Sequence, residues 1–165
     1  MIKRAPFRSL ALAAGLLALF CSLSALPQDE DLLKIECSVV PKRLSRGEEG
    51  KAVIRLVVKE GVLISAQPSF IIELAPAPEI SFPKNFFTAS DLDIDVIEAP
   101  GGTFLDLAKP VEIPFTVVPD AKPGGHILEG RIKYFARSPA EGWCYKTTSK
   151  FSVAFTTRSG SIKKK

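Results

Sequence analysis

From Leu33 onward, apolar residues recur at every second position. No segment beyond the N-terminal leader carries an apolar 3.6-residue period long enough for a helix. Leu33, Ile35, Cys37 and Val39 alternate with Lys34, Glu36 and Ser38, which puts Cys37 on the apolar face of a strand. Ala52, Ile54, Leu56 and Val58 form the next row, and Phe70, Ile72 and Leu74 another. Leu92, Ile94 and Val96 alternate with Asp91, Asp93 and Asp95, and Val111, Ile113, Phe115 and Val117 follow. Pro114 lies on the opposite face of that last row and marks an edge or a bulge, because proline cannot donate to a ladder. A final hairpin is predicted from strands over 127–136 and 150–157, pairing Leu128, Ile132 and Tyr134 with Phe151, Val153 and Phe155. Turn signals separate the rows: Pro41, Ser45-Arg46-Gly47, Gly61, Gln67-Pro68, the proline-bearing stretch 75–84 and Pro100-Gly101-Gly102. The pattern predicts an all-β chain, an immunoglobulin-like antiparallel β-sandwich of about 7–9 strands.

The first residues are set apart from this pattern. Lys3, Arg4 and Arg8 precede an apolar run from Leu10 to Phe20, and small residues follow at Ser22, Ser24 and Ala25. Residues 1–25 therefore read as a secretory signal peptide. The run is too short for a stable membrane span, and no later apolar stretch reaches the required ~18 residues. A periplasmic or otherwise exported chain without a transmembrane span is expected. Cys21 offers lipoprotein acylation as a less favoured alternative, since the bulky Phe20 before it fits a lipobox poorly. The 22 Lys+Arg exceed the 18 Asp+Glu, but the excess comes from the leader and from Lys163, Lys164 and Lys165 at the other end. The body is close to neutral, so composition gives no sign of a nucleic-acid surface. Residues 26–158 make one domain, and 159–165 a basic flexible tail.

Most catalytic templates fail. His126 is the one histidine, read as an exposed turn residue, and neither a zinc set nor a nucleophile elbow accompanies it. Asp91, Asp93 and Asp95 lack the glycine and glutamate of a calcium loop, those positions being Val96 and Gly102, so they read as solvent-facing carboxylates on a strand. No metal and no cofactor is implied. Cysteine chemistry remains. Cys37 reads as a small core hydrophobe. Cys144 sits in a Gly-Trp-Cys-Tyr loop beside Lys146 and not far from Arg137, either accessible or buried behind Trp143. Trp143 itself reads as a hairpin plug or, with Phe86-Phe87, as a contact patch.

The run Pro119-Asp120-Ala121-Lys122-Pro123-Gly124-Gly125, followed by Leu128-x-Gly130, Tyr134-x-Ala136 and Gly142-Trp143-Cys144-Tyr145, resembles the N-terminal periplasmic domain of the thiol:disulfide interchange protein DsbD. Gly61 to Ala66 and Phe82-Pro83 are similar to earlier parts of that family. The resemblance implies an immunoglobulin-like domain that passes electrons through a cysteine pair, in the thiol–disulfide chemistry that also feeds cytochrome c biogenesis. It places Cys144 at the second active-site cysteine, with Tyr134, Arg137, Trp143 and Tyr145 as partner contacts. The first cysteine is replaced by Arg137, and Lys146 and Thr147 stand where prolines are expected. A disulfide within the hairpin is excluded, and whether the chain is an enzyme stays open. The partners implied are thioredoxin-fold or membrane thiol–disulfide proteins acting in trans. Three readings follow: a partner-binding domain with an incomplete redox centre, an exchanger pairing Cys144 with Cys37 in a possible disulfide, and an envelope binding module without a redox role.

Overall fold

The computed structural model describes residues 32–161. The expectations for the leader 1–25, for Cys21 and for the terminal lysines lie outside the described residues. The strands, in chain order, are β1 (Leu33–Val40), β2 (Arg43–Arg46), β3 (Glu49–Val58), β4 (Leu63–Ile64), β5 (Ile71–Leu74), β6 (Ile80–Ser81) and β7 (Phe86–Thr88). A 3-10 turn (Ser90–Leu92) leads to β8 (Val96–Ala99), β9 (Gly102–Leu105), β10 (Val111–Val117), β11 (Gly124–Ser138) and β12 (Trp143–Ser161). One sheet runs β1-β3-β10-β6 and the other β2-β12-β11-β5-β7, with β4 also paired to β11; β8 and β9 form a separate two-stranded ribbon. The two larger sheets pack as an immunoglobulin-like β-sandwich.

Period-two alternation builds the core, as the sequence predicts. Ala52, Ile54 and Leu56 of β3 and Val111, Ile113, Phe115 and Val117 of β10 are buried from one sheet. Ile72, Leu128, Ile132, Tyr134 and Phe155 meet them from the other. The Phe115 ring crosses the gap to Phe155, with centroids 5.7 Å apart, and touches Phe82 at 6.1 Å. Each Val, Leu, Ile or Phe among them contributes roughly 1.5–3 kcal/mol on burial. Pro114 stands on the edge its sequence requires. β10 pairs with β3 along Val111 to Thr116 but with β6 only at Thr116 and Val117, so no ladder partner faces Pro114 on the second side.

Several expectations are corrected. The strand count rises because two- and three-residue strands form inside predicted loops, among them β6 within 75–84. Pairing is antiparallel throughout the two larger sheets except for β2 and β12, which run parallel. Asp91 to Asp95 form no strand: Asp91 lies in the 3-10 turn and Asp93 is left-handed at φ 49°. The last hairpin is longer than the apolar rows imply, with β11 and β12 paired from Gly124↔Thr157 to Ser138↔Trp143. Ser159, Gly160 and Ser161, expected in the tail, belong to β12. His126 is not an exposed turn residue. It lies in β11 with its side chain only 11% exposed, tilted against Phe155 and hydrogen-bonded through Nε2 to Lys122 O at 2.8 Å and Thr157 Oγ1 at 2.5 Å.

Candidate functional site

The tip of the β11–β12 hairpin is closed by Pro139 to Gly142. Gly142 takes φ 75°, a left-handed value that suits glycine, and its N–H donates to Ser138 O at 2.8 Å. The turn sets the register behind it: Ser138 faces Trp143, Arg137 faces Cys144, and Ala136 faces Tyr145. Cys144 and Trp143 are therefore strand residues and not members of a loop. Arg137 lies directly across the ladder from Cys144, where Cα atoms of antiparallel partners stand about 4.5–5.5 Å apart.

Alternation then divides the tip between two faces. Buried Phe151 and Phe155 fix the odd-numbered positions of β12 as the inner set, so Cys144 shares the outer face with Lys146 and Lys150. Trp143 and Tyr145 fall on the other face, where their rings stack at 4.9 Å and 18°. Trp143 is half-buried against the core margin and its indole N–H donates to Glu141; Tyr145 is 57% exposed. Trp143 does not cover the thiol, and Cys144 is exposed. Of the expected partner contacts, Tyr134 is the exception: it is 2% exposed, and its hydroxyl meets Ser149 Oγ at 3.0 Å. It is a core residue, because its even-numbered position on β11 points into the sandwich.

Arg137 is tied down. Its guanidinium donates to Gly101 O in the β8–β9 turn, where Gly101 and Gly102 hold φ values of 98° and 139°. The ribbon is also laced to the sheet through β4, since Ser65 N donates to Phe135 O at 2.9 Å and Ala66 N to Thr103 O at 3.0 Å. Sequence reading missed this link; the Pro100-Gly101-Gly102 turn was visible, but not the arginine it would cradle.

Cys37 lies elsewhere. It sits in β1, opposite Ile54, half-buried at the core margin, and both described cysteines are free thiols. Burial pushes the Cys37 thiol up to about 11, partly offset by a backbone hydrogen bond at Ser38. Among the described residues no group of His, Cys, Asp and Glu is placed to hold a metal ion, and no helix is long and apolar enough to cross a membrane.

No protein-family model matches the chain, and no curated protein matches it. Solved structures do. A cohesin module from a Clostridium perfringens family 33 glycoside hydrolase is 11% identical, over 78% of this chain and 98% of that one, with a TM-score of 0.44. A PapD-like domain of human CEP192 is 11% identical over 94% and 100%, with a TM-score of 0.35. AggA, the major subunit of aggregative adherence fimbriae type I from Escherichia coli, is 10% identical over 76% and 95%, also with a TM-score of 0.35.

Proposed function

We propose that this chain is an exported partner-binding domain of periplasmic thiol–disulfide chemistry, similar to the DsbD N-terminal domain but with one thiol in place of a pair. The observation that carries the reading is the exposed Cys144 facing Arg137 across the free end of the longest hairpin. A thiolate there attacks a disulfide of a thioredoxin-fold partner, forming a mixed disulfide and releasing the partner's second sulfur as a thiolate. The hairpin holds no second cysteine, so the adduct is resolved by a thiol from elsewhere, such as that of a membrane thiol–disulfide protein, which bonds to the partner's sulfur and releases Cys144 as a thiolate. Cys37 lends less support as the resolving group. It belongs to the other sheet, and its raised pKa keeps it a protonated, weakly nucleophilic thiol.

The test is intact mass and differential alkylation of the mature protein taken from the cell envelope without reductant. Cys144 free or linked to another protein, with Cys37 unmodified, supports the single-thiol reading. Cys37 found linked to Cys144 would favour the exchanger instead. If Cys144→Ser leaves partner capture and envelope thiol status unchanged, the thiol role is wrong and a binding module without redox chemistry is left.

A further inference from the structure

The near-neutral body hides a division of charge between its two faces. On β11 the buried Leu128, Ile132 and Tyr134 turn Arg131, Lys133 and Arg137 outward, and on β12 Lys146, Lys150 and Arg158 join them on the same face. The carboxylates interspersed there on β5 and β11 are Glu73 and Glu129. Glu73 is already engaged, accepting from Arg131 Nε and Lys133 Nζ at 2.5 Å each, and both cations hold its carboxyl below the ordinary range. Lys146, Lys150 and Arg158 have no carboxylate at ion-pair distance among the described residues. The outer face of the β1-β3-β10 sheet is balanced by comparison. Lys34 pairs with Glu36 at 2.8 Å and Lys51 with Glu112 at 2.7 Å.

We propose that the outer face of the β11–β12 sheet docks a protein partner through an acidic surface, presenting that partner to Cys144 at the end of the same face. This rests on the reading of the hairpin as the partner-binding element and adds the chemistry of the partner. A groove of about 670 Å³, with Arg131 and Lys150 among its walls and Glu129 and Ser152 beside them, gives the face relief. A protein fits better than a phosphate-dense surface. Thr148, Ser152 and the exposed Ile127 between the cations match the mixed polar and apolar character of a protein interface, which a phosphate-dense surface lacks.

The experiment uses the mature Cys144→Ser protein, so that no thiol contributes, and poly-L-glutamate as probe. Binding is followed by calorimetry as salt rises from about 50 to about 300 mM, where screening shortens the reach of surface charge. Affinity is expected to fall steadily over that range. Lys146→Glu, Lys150→Glu and Arg158→Glu combined should lose about tenfold or more, and the same charge change at Lys34, Lys51 and Arg55 less than about twofold. Thermal melts check that both variants fold, and the salt series stands without either. Equal losses in the two variants, salt-independent binding or no binding would overturn the proposal. So would tighter binding to phosphatidylglycerol-containing vesicles than to poly-L-glutamate, which would make the face a membrane-contact surface. Salt-dependent binding with no Cys144 adduct in the unmodified protein would sink the thiol reading alone. An adduct without such binding would sink this proposal alone.

Discussion

Cys37 and Cys144 share a chemistry and differ in what surrounds them. Cys144 stands in solvent at the hairpin tip, and Cys37 is partly enclosed between the β1 backbone and the core margin. With the Cys37 thiol near 11, about one molecule in a thousand carries the thiolate at pH 8. In Cys144→Ser protein, the alkylation rate at Cys37 should climb about tenfold per unit between pH 8 and pH 10. A plateau below pH 9 would mean that the thiol is not enclosed in solution. The same shift acts on stability. An unfolded Cys37 releases its proton near 9.0 and the folded one near 11, so this group's contribution is complete below pH 9 and is lost as pH rises toward 11. Gly130 shows a second kind of residue-scale constraint. A Cβ there would overlap the Phe151 ring and stand 2.9 Å from Glu73 O, so this glycine makes room for an aromatic neighbour across the ladder.

At the scale of elements, alternation was a good guide where one face is fully buried and a poor one where burial is only partial. The rows of β3, β10 and β11 were legible because each inward residue meets the opposite sheet. Asp91 to Val96 show the same alternation, but Leu92 and Ile94 are only half-buried at the core margin, and local hydrogen bonds decide the outcome. Asp91 accepts from Thr88 N and Thr88 Oγ1, both at 2.9 Å, and its own N–H donates back to Thr88 Oγ1 at 3.3 Å. That reciprocal Thr88–Asp91 pairing, which the alternation does not disclose, outweighs the period of two. The sequence names Arg137 and Cys144 but does not disclose their register. Nothing local in Arg137 or Cys144 reveals that the Pro139–Gly142 turn sets them face to face, and the pairing decides which face each side chain takes. The turn around Asp91 carries its own prediction. Lys84, then Thr88, hold its carboxyl at about 2, against 3.8 in the unfolded chain. The stabilisation is therefore complete above about pH 4 and is lost as pH falls toward 2. Asp91→Asn should melt lower than the parent at pH 5 and converge with it near pH 2. A constant gap across that range would show that the carboxylate charge contributes nothing.

At the scale of the whole molecule, the sandwich is held by side chains that cross between sheets, and the proposed function is placed at one hairpin end. Phe115 is the clearest crossing residue. It is 2% exposed, its ring meets Phe155 of the opposite sheet, and Gly50 is kept small beneath it, since a Cβ there would stand 2.9 Å from the ring. Phe115→Ala removes the ring and leaves a cavity that neighbouring strands cannot close without breaking ladders, at a cost of about 3–5 kcal/mol. Against a typical total of about 5–15 kcal/mol, that loss brings the fold close to its limit. Tyr145→Ala, on the exposed tip, removes one stacked ring and should cost less than about 1 kcal/mol. Urea titration of both variants should lower the midpoint strongly for Phe115→Ala and barely for Tyr145→Ala, with slopes unchanged. Comparable losses at the two positions would mean that the tip is part of the cooperative core.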